Sequence, residues 1–365
     1  MLNYEFPPLG GGAANATKHI LQEFSNHDDI EIDLVTSSVS KHKIEIFSEN
    51  ITIHYLDIGK NNEMHNQSNK DLLMYSYKAY NYSKKLLKEK DHELIHAFFG
   101  IPCGYIAKNL NKPYIVSLRG SDVPFYSEKY KLLDTLFFER MSRDIWRRAE
   151  HVVANSSGLK DLALKTSAEQ DIKLIFNGVD INKFKAKDDY FIKDKFQIIS
   201  VGRLIKRKGY NYLIEALEGL DNVKLILCGE GPLRQELQLL AKEKGVEVEF
   251  RGNVSHDDLV PMLRESDLFV LPSLNEGMSN TVLEAMACGL PLVVSNVGGM
   301  SELVDNNGHM FEIGEWGKLK EFIEKMIEDH DHRISCGRRS CEMAKDMSWE
   351  KVSYDYKKIY ESVGK

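Results

Sequence analysis

Glu276 and Glu284 stand eight positions apart in the run LPSLNEGMSNTVLEAMACGLP, residues 271–291. The pattern predicts a strand ending near Leu271, then a loop carrying Glu276 and the flexible Gly277. A helix follows, opening near Ser279 or Asn280 and closing at Gly289 ahead of Pro291. The loop acid then lies at the positive end of the helix, and the second acid about one turn inside. Helix-start N–H groups can meet a pyrophosphate. Carboxylates accept readily from O–H groups, so Glu276 suits a hexose hydroxyl and Glu284 a ribose diol. Such an arrangement fits a sugar nucleotide. The plainer alternatives are an acid favoured by the helix dipole alone for Glu276 and a solvent-facing side chain for Glu284.

A second constellation is Val201-Gly202-Arg203-Leu204-Ile205-Lys206-Arg207-Lys208-Gly209, straight after a predicted strand. Arg offers a planar fork to phosphate oxygens and Lys a mobile point charge, a pairing suited to a diphosphate. Arg203 and Lys208, flanked by Gly202 and Gly209, are the expected ligands; Lys206 and Arg207 read as solvated. Near the N-terminus, Pro7-Pro8-Leu9-Gly10-Gly11-Gly12 leads into a helix starting near Ala13. Gly11 and Gly12 would let backbone approach an anion at that helix start. The spacing is not Gly-x-Gly-x-x-Gly, and no clear acid follows ~20 residues on, so this is not a dinucleotide fingerprint. A tight structural turn is the alternative.

These motifs need a scaffold of strand ends. The 365 residues predict two domains at about 150 residues each. In the first half, Glu31–Thr36, Ile51–Ile58, Leu94–Phe99, Tyr114–Leu118 and His151–Ala154 read as strands, alternating with amphipathic stretches such as Thr17–Phe24, Asp71–Lys88 and Tyr130–Arg148. A second series runs through Phe196–Val201, Val223–Cys228, Glu247–Phe250, Leu268–Leu271 and Leu292–Val294. Strand–helix alternation implies parallel sheets covered on both faces. The fold class is therefore α/β, with two Rossmann-like domains: residues 1–180 and 196–345, joined by a linker at Asn177–Lys195. Trp349, Val352, Tyr356, Ile359 and Tyr360 recur at helical spacing in a final helix (348–365) expected to cross back onto the first domain. Only Leu2–Tyr4 precedes the first turn, so the first strand is clipped by several residues. A misassigned start codon or an unusually short strand accounts for that.

Hydrophobic residues make up 42% and charged residues 28%, which excludes a mainly disordered chain. Asp plus Glu outnumber Lys plus Arg by 55 to 48, opposite to the balance of a nucleic-acid coat protein, so no nucleic-acid partner is expected. Five scattered cysteines form no Cys-x-x-Cys pair; free thiols are expected, with neither a disulfide framework nor a zinc site. No apolar run approaches the ~18 residues that span a bilayer, and the first residues lack the pattern of a signal peptide. The expected location is cytoplasmic, or peripheral at the inner face of a membrane.

The Glu-x7-Glu pair in EGMSNTVLEAMACGLP resembles the signature of retaining GT-B glycosyltransferases, more narrowly the family-4 group. Gly202-Arg203-Leu204 with Lys208-Gly209, Cys228-Gly229-Glu230-Gly231-Pro232, Val297-Gly298-Gly299 with Ser301-Glu302, Asn155-Ser156 and Asn177-Gly178-Val179-Asp180 fit the same pattern. The resemblance implies a cleft between the domains, with a UDP-sugar or GDP-sugar donor on the second and a saccharide or lipid-linked acceptor on the first. Carried over by position, Arg203 and Lys208 would hold the diphosphate, Glu276 the hexose and Glu284 the ribose. Backbone from Gly277 through Met278 to Ser279 would reach sugar and phosphate, and the base would lie near Glu230 and Phe250–Val254. Gly202 and the Gly11–Gly12 turn would admit the donor closely. Two cations and a helix start would stabilise the leaving diphosphate without a metal or other cofactor. Asp329-His330-Asp331 has metal-motif spacing but sits in a charged, surface-like stretch.

The chain departs from the family at one turn. Where many members carry a histidine near the sugar, the residues are Ser117-Leu118-Arg119-Gly120-Ser121-Asp122. Arg119 is no neutral acceptor or base at pH 7. It can pair with donor phosphate or an anionic acceptor, or simply with Asp122. His96, after another strand, reads more readily as a satisfied core histidine than as a cleft residue. The basic stretch 130–148, with Leu132, Leu133, Phe137, Phe138 and Trp146, can rest on anionic lipid or pack on its sheet. Alternative readings keep the fold but change the chemistry: a nucleotide-sugar epimerase, or a sugar-nucleotide-binding protein without turnover.

Overall fold

The computed structural model describes residues 1–60, 68–126, 134–186 and 195–364. They form two units, Met1–Asn177 with Trp349–Lys365, and Gly178–Ser348.

The first unit is a sheet built in two parts. Strands β1 (Ile32–Ser38), β2 (Lys43–Ser48) and β3 (Ile51–Asp57) lie in the order β1-β3-β2. Strands β4 (Ile95–Phe98), β5 (Tyr114–Leu118), β6 (His151–Ala154) and β7 (Ile172–Leu174) lie in sequence order. All neighbours are parallel except β2, which returns antiparallel along β3. Ahead of the first turn, the strand expected at Leu2–Tyr4 is a single bridging residue. Leu2 pairs with Val35 on one side and Ala97 on the other, its N–H donating to His96 O (2.8 Å) and its carbonyl accepting from Phe98 N (2.9 Å). Buried Leu2 thereby joins the two parts of the sheet.

Helix α1 (Gly12–Phe24) buries Ala16, Ile20, Leu21 and Phe24. Helix α2 (Asn69–Glu89) starts at a capping box between Ser68 and Asp71 and presses Tyr75 onto the other face, where Tyr75 Oη donates to Val35 O (2.9 Å). Short helix α3 (Tyr105–Lys108), α4 (Glu139–Arg148) and α5 (Ser157–Thr166) complete the layers. In α4, Ile145 and Trp146 are fully buried in the core, whereas Arg147 and Arg148 pair with Asp144 and Arg143 with Glu139. The described part of the basic stretch thus packs on its sheet; Tyr130, Leu132 and Leu133 lie outside the described residues, as does 187–194 of the linker.

The second unit is one parallel sheet of six strands: β8 (Phe196–Val201), β9 (Val223–Cys228), β10 (Val248–Gly252), β11 (Leu268–Leu271), β12 (Leu292–Ser295) and β13 (Gly308–Phe311). Their spatial order is β10-β9-β8-β11-β12-β13. The chain winds outward from β8 to β10, then returns to β11 and winds the other way. The order therefore reverses between β8 and β11, which opens a crevice at their carboxyl ends. Helices α6 (Tyr210–Ala216), α7 (Arg234–Lys244), α8 (His256–Glu265), α9 (Asn280–Ala287), α10 (Trp316–Glu328) and α11 (His330–Lys345) cover the faces. The last helix, α12 (Trp349–Ser362), belongs to the first unit. Trp349 stacks on His19 (5.1 Å between centroids) and Tyr360 lies against Phe24 (5.7 Å). The Asp329–Asp331 stretch is exposed where α11 begins. Among the described residues no helix is long and apolar enough to cross a membrane, and all five cysteines are free.

Candidate active site

The crevice at β8 and β11 gathers most of the residues singled out from sequence. After β8 the chain turns at Gly202, runs through Arg203 and a short 3-10 turn at Lys206–Lys208, and enters α6 at Gly209. After β11 it passes Pro272, Ser273 and Glu276 before α9 begins. Two glycines fix how closely these loops meet. Gly209 is left-handed (φ +68°), and a Cβ there would lie 2.1 Å from Pro272 O. Gly298 (φ +57°) would place one 1.8 Å from Glu276 O. No other residue type allows that approach. Leu274 N donates to Arg207 O (2.8 Å) and Gly299 N to Gly277 O (3.1 Å), tying three loops together.

Serines on the flanking strands hold the exit of β11. Ser200 Oγ on β8 donates to Val270 O (2.5 Å), and Ser295 Oγ on β12 to Ser273 O (2.5 Å). Ser273 Oγ in turn donates to Glu276 Oε1 (2.7 Å). Lys208 Nζ forms an ion pair with the same Glu276 oxygen, and both side chains are largely buried. The sequence treats Lys208 and Glu276 as separate ligands, 68 positions apart; the fold makes them partners across the strand-order reversal. Glu276 is therefore more than an acid placed by a helix dipole. Arg203 is exposed on the same loop, and among the described residues its guanidinium makes no hydrogen bond or ion pair.

Glu284 faces inward. It is 8% exposed, and its Oε2 is buried with no hydrogen-bond partner, while Oε1 lies 3.5 Å from His256 Nε2. Burial pushes its pKa up to about 8; the charge of Lys183, itself paired with Asp257, pulls the other way. The solvent-facing alternative is overturned. Ser279 precedes α9 with its hydroxyl 3.2 Å from Thr281 Oγ1, and Met278 is buried beside it. Glu230, on the β9 exit, is exposed and paired with Arg234; Val254 is half-buried in the loop after β10.

Three candidates belong to the first unit. Gly11 and Gly12 are exposed at the start of α1. The anion-binding end of that helix faces the chain's own Glu5, whose carboxyl accepts from Ala14 N–H and lies 2.6 Å from where a Gly10 Cβ would be. Burial raises the Glu5 pKa to about 7. Arg119 directly follows β5, and the pairing with Asp122 is not made by its side chain. Asp122 instead accepts main-chain N–H bonds from Gly100, Arg119 and Gly120. His96 is a satisfied core histidine, bonded to Tyr360 Oη and Ser117 Oγ (2.7 Å each). Sequence reasoning passed over Ser273 and His256. The Ser-x-x-Glu spacing at 273–276 is a signal for the first; nothing local ties His256 to Glu284.

Two α/β units in series, the second doubly wound with a cation–carboxylate site at its strand-order reversal, define the GT-B class. Residues 10–183 match the family described as Glycosyltransferase Family 4, and residues 182–343 that described as Glycosyl transferases group 1. The chain belongs to the group 1 glycosyltransferases. An uncharacterized glycosyltransferase of Methanocaldococcus jannaschii, MJ1178, is 27% identical over 98% of this chain and 96% of its own length. The lipopolysaccharide core biosynthesis glycosyltransferase LpsE of Rhizobium meliloti is 30% identical over 54% of this chain and 59% of its own. Among solved structures, Anabaena HepE in complex with UDP and glucose aligns with TM-score 0.76 at 22% identity, covering 99% of this chain and 98% of that one.

Proposed function

We propose that this glycosyltransferase moves a hexose, with retention of configuration, from a UDP- or GDP-linked donor to a saccharide or lipid-linked acceptor. Surface polysaccharide or glycoconjugate synthesis, in the cytoplasm or at the inner face of a membrane, is the setting. The observation that carries the donor site is Glu284: a buried carboxyl with an unpartnered oxygen at the strand-order reversal. A buried polar atom left unpaired is costly, and a ribose diol supplies the missing partners. HepE, solved with UDP and glucose, and LpsE, a lipopolysaccharide core enzyme, support this choice of donor and product class.

On this reading the donor diphosphate meets Arg203 and takes over the Lys208 ammonium. Glu276 is thereby freed for a hexose hydroxyl, with Ser273 still holding one of its oxygens. As the glycosidic bond breaks, the sugar becomes oxocarbenium-like and the diphosphate gains charge. Arg203, Lys208 and the N–H groups at the start of α9 receive that charge, which stabilises the leaving group electrostatically. The acceptor attacks on the face the leaving group departs from. Because side chains and a helix start receive the charge, turnover should be unaffected by chelator. Glu276→Gln tests the assignment. It should cut transfer from the nucleotide sugar at least 100-fold at a temperature where the variant stays folded, and unchanged turnover would remove Glu276 from the site.

A further inference from the structure

We propose that Arg119 is an anion subsite of the first unit, recognising a phosphate group on the acceptor; this rests on the reading that the first unit takes the acceptor. Its guanidinium lies over the Phe98 ring (5.0 Å to the centroid). Nη1 donates to Asn177 Oδ1 (3.0 Å) and Nη2 to Tyr356 Oη (3.3 Å), while Nε is buried with no partner. Every one of these neighbours is neutral. The adjacent carboxylate, Asp122, is engaged by three main-chain N–H groups, and among the described residues no carboxylate pairs with Arg119. His96, packed nearby on β4, cannot compensate. It is an uncharged ring with both nitrogens engaged, and burial and the Arg119 charge hold its pKa well below the usual value.

A partly buried cation without a counter-charge is expensive to keep, and the expense is repaid when an anion binds. The place is also right for a ligand. Arg119 stands just beyond the carboxyl end of a parallel strand, where open α/β sheets bind their substrates. Leu118 pairs with Ala154 in the β5–β6 ladder, which sets Asn155 beside Arg119. Asn155 is 5% exposed and its Oδ1 is buried without a partner. Turned over, that amide presents N–H donors at the same strand end as Arg119. The planar Arg fork with an amide beside it matches a phosphate oxyanion. The donor's own diphosphate has Arg203 and Lys208 in the second unit, so the anion served here is the acceptor's.

Calorimetric titration separates the possibilities. With UDP saturating, the wild-type chain is titrated with farnesyl diphosphate and with glucose 1-phosphate, and UDP is titrated alone. Arg119→Gln should weaken the phosphate probe at least tenfold and leave UDP affinity within twofold; Arg119→Lys should retain part of the binding. Tyr356→Phe removes one of the same hydrogen bonds but keeps the charge, and should bind as wild type, which guards against a merely misfolded arginine variant. Preference for either probe supports the subsite and names its source as a lipid-linked or a soluble sugar phosphate. If wild type binds neither probe, if Arg119→Gln binds as wild type, or if UDP affinity falls in parallel, the proposal is overturned. Failure of wild type to bind any nucleoside diphosphate would instead refute the donor reading of the second unit.

Discussion

Glu284 holds its proton at neutral pH because burial penalises its charged form, with pKa about 8. The sign of the resulting pH dependence follows. A folded pKa above the unfolded one gives a stabilising contribution that is complete below about 4.3 and lost as pH rises through 8. Glu284→Gln cannot ionise, so the variant should gain about 2–3 kcal/mol on wild type between pH 6 and pH 9 in denaturant unfolding. Ribose hydroxyls donate best to the ionised carboxylate. Wild-type affinity for the nucleotide should therefore rise with pH up to 8 and level off, with proton release visible in buffers of different ionisation heat; the glutamine variant should show neither. Lys208 and Glu276 behave as a pair. Lys208→Met strands a buried carboxylate and should cost roughly 3 kcal/mol, whereas Lys208→Met with Glu276→Gln should recover most of it. Equal melting temperatures for the single and double variants would contradict the pairing. The sequence could show neither effect. The partner of Lys208 lies 68 positions away, and the neighbour that spacing suggested for Arg119, Asp122, is occupied by main-chain N–H groups.

Among the elements, the loops after β8, β11 and β12 decide the site, and glycines decide the loops. Gly298→Ala would drive a methyl into Glu276 O from a left-handed backbone. It should cost ~2 kcal/mol or more and weaken nucleotide binding at least tenfold. Gly317→Ala, in α10 with open space around it, should be neutral or slightly stabilising by the same assay. The strands feeding these loops were legible in sequence because β9, β11 and β12 are dominated by buried apolar residues and β8 centres on buried Ile198 and Ile199. Three others were not. Strand β2 is an edge whose Ile44 and Ile46 stay exposed, β7 is three residues long, and β13, Gly308–Phe311, buries only Phe311. A strand that buries little leaves little pattern. The limits of α9 were readable, since Ser279 and Gly289 punctuate it.

At the scale of the whole molecule, each unit has its own core, and the chain's last helix returns to complete the first one. That return was written in the aromatic spacing of α12; the single-residue bridge at Leu2 could be read only as a shortened strand. Ligand linkage provides the direct test of what the second unit does, since whatever binds the native state must raise its melting temperature. The measurement is thermal unfolding of wild type and of Glu284→Gln against UDP, GDP and ADP, each with and without chelator. The account predicts a rise of several degrees at ~100 times the dissociation constant for UDP or GDP, unchanged by chelator and strongly reduced in Glu284→Gln. No rise with any nucleotide, or an equal rise in the variant, would contradict it.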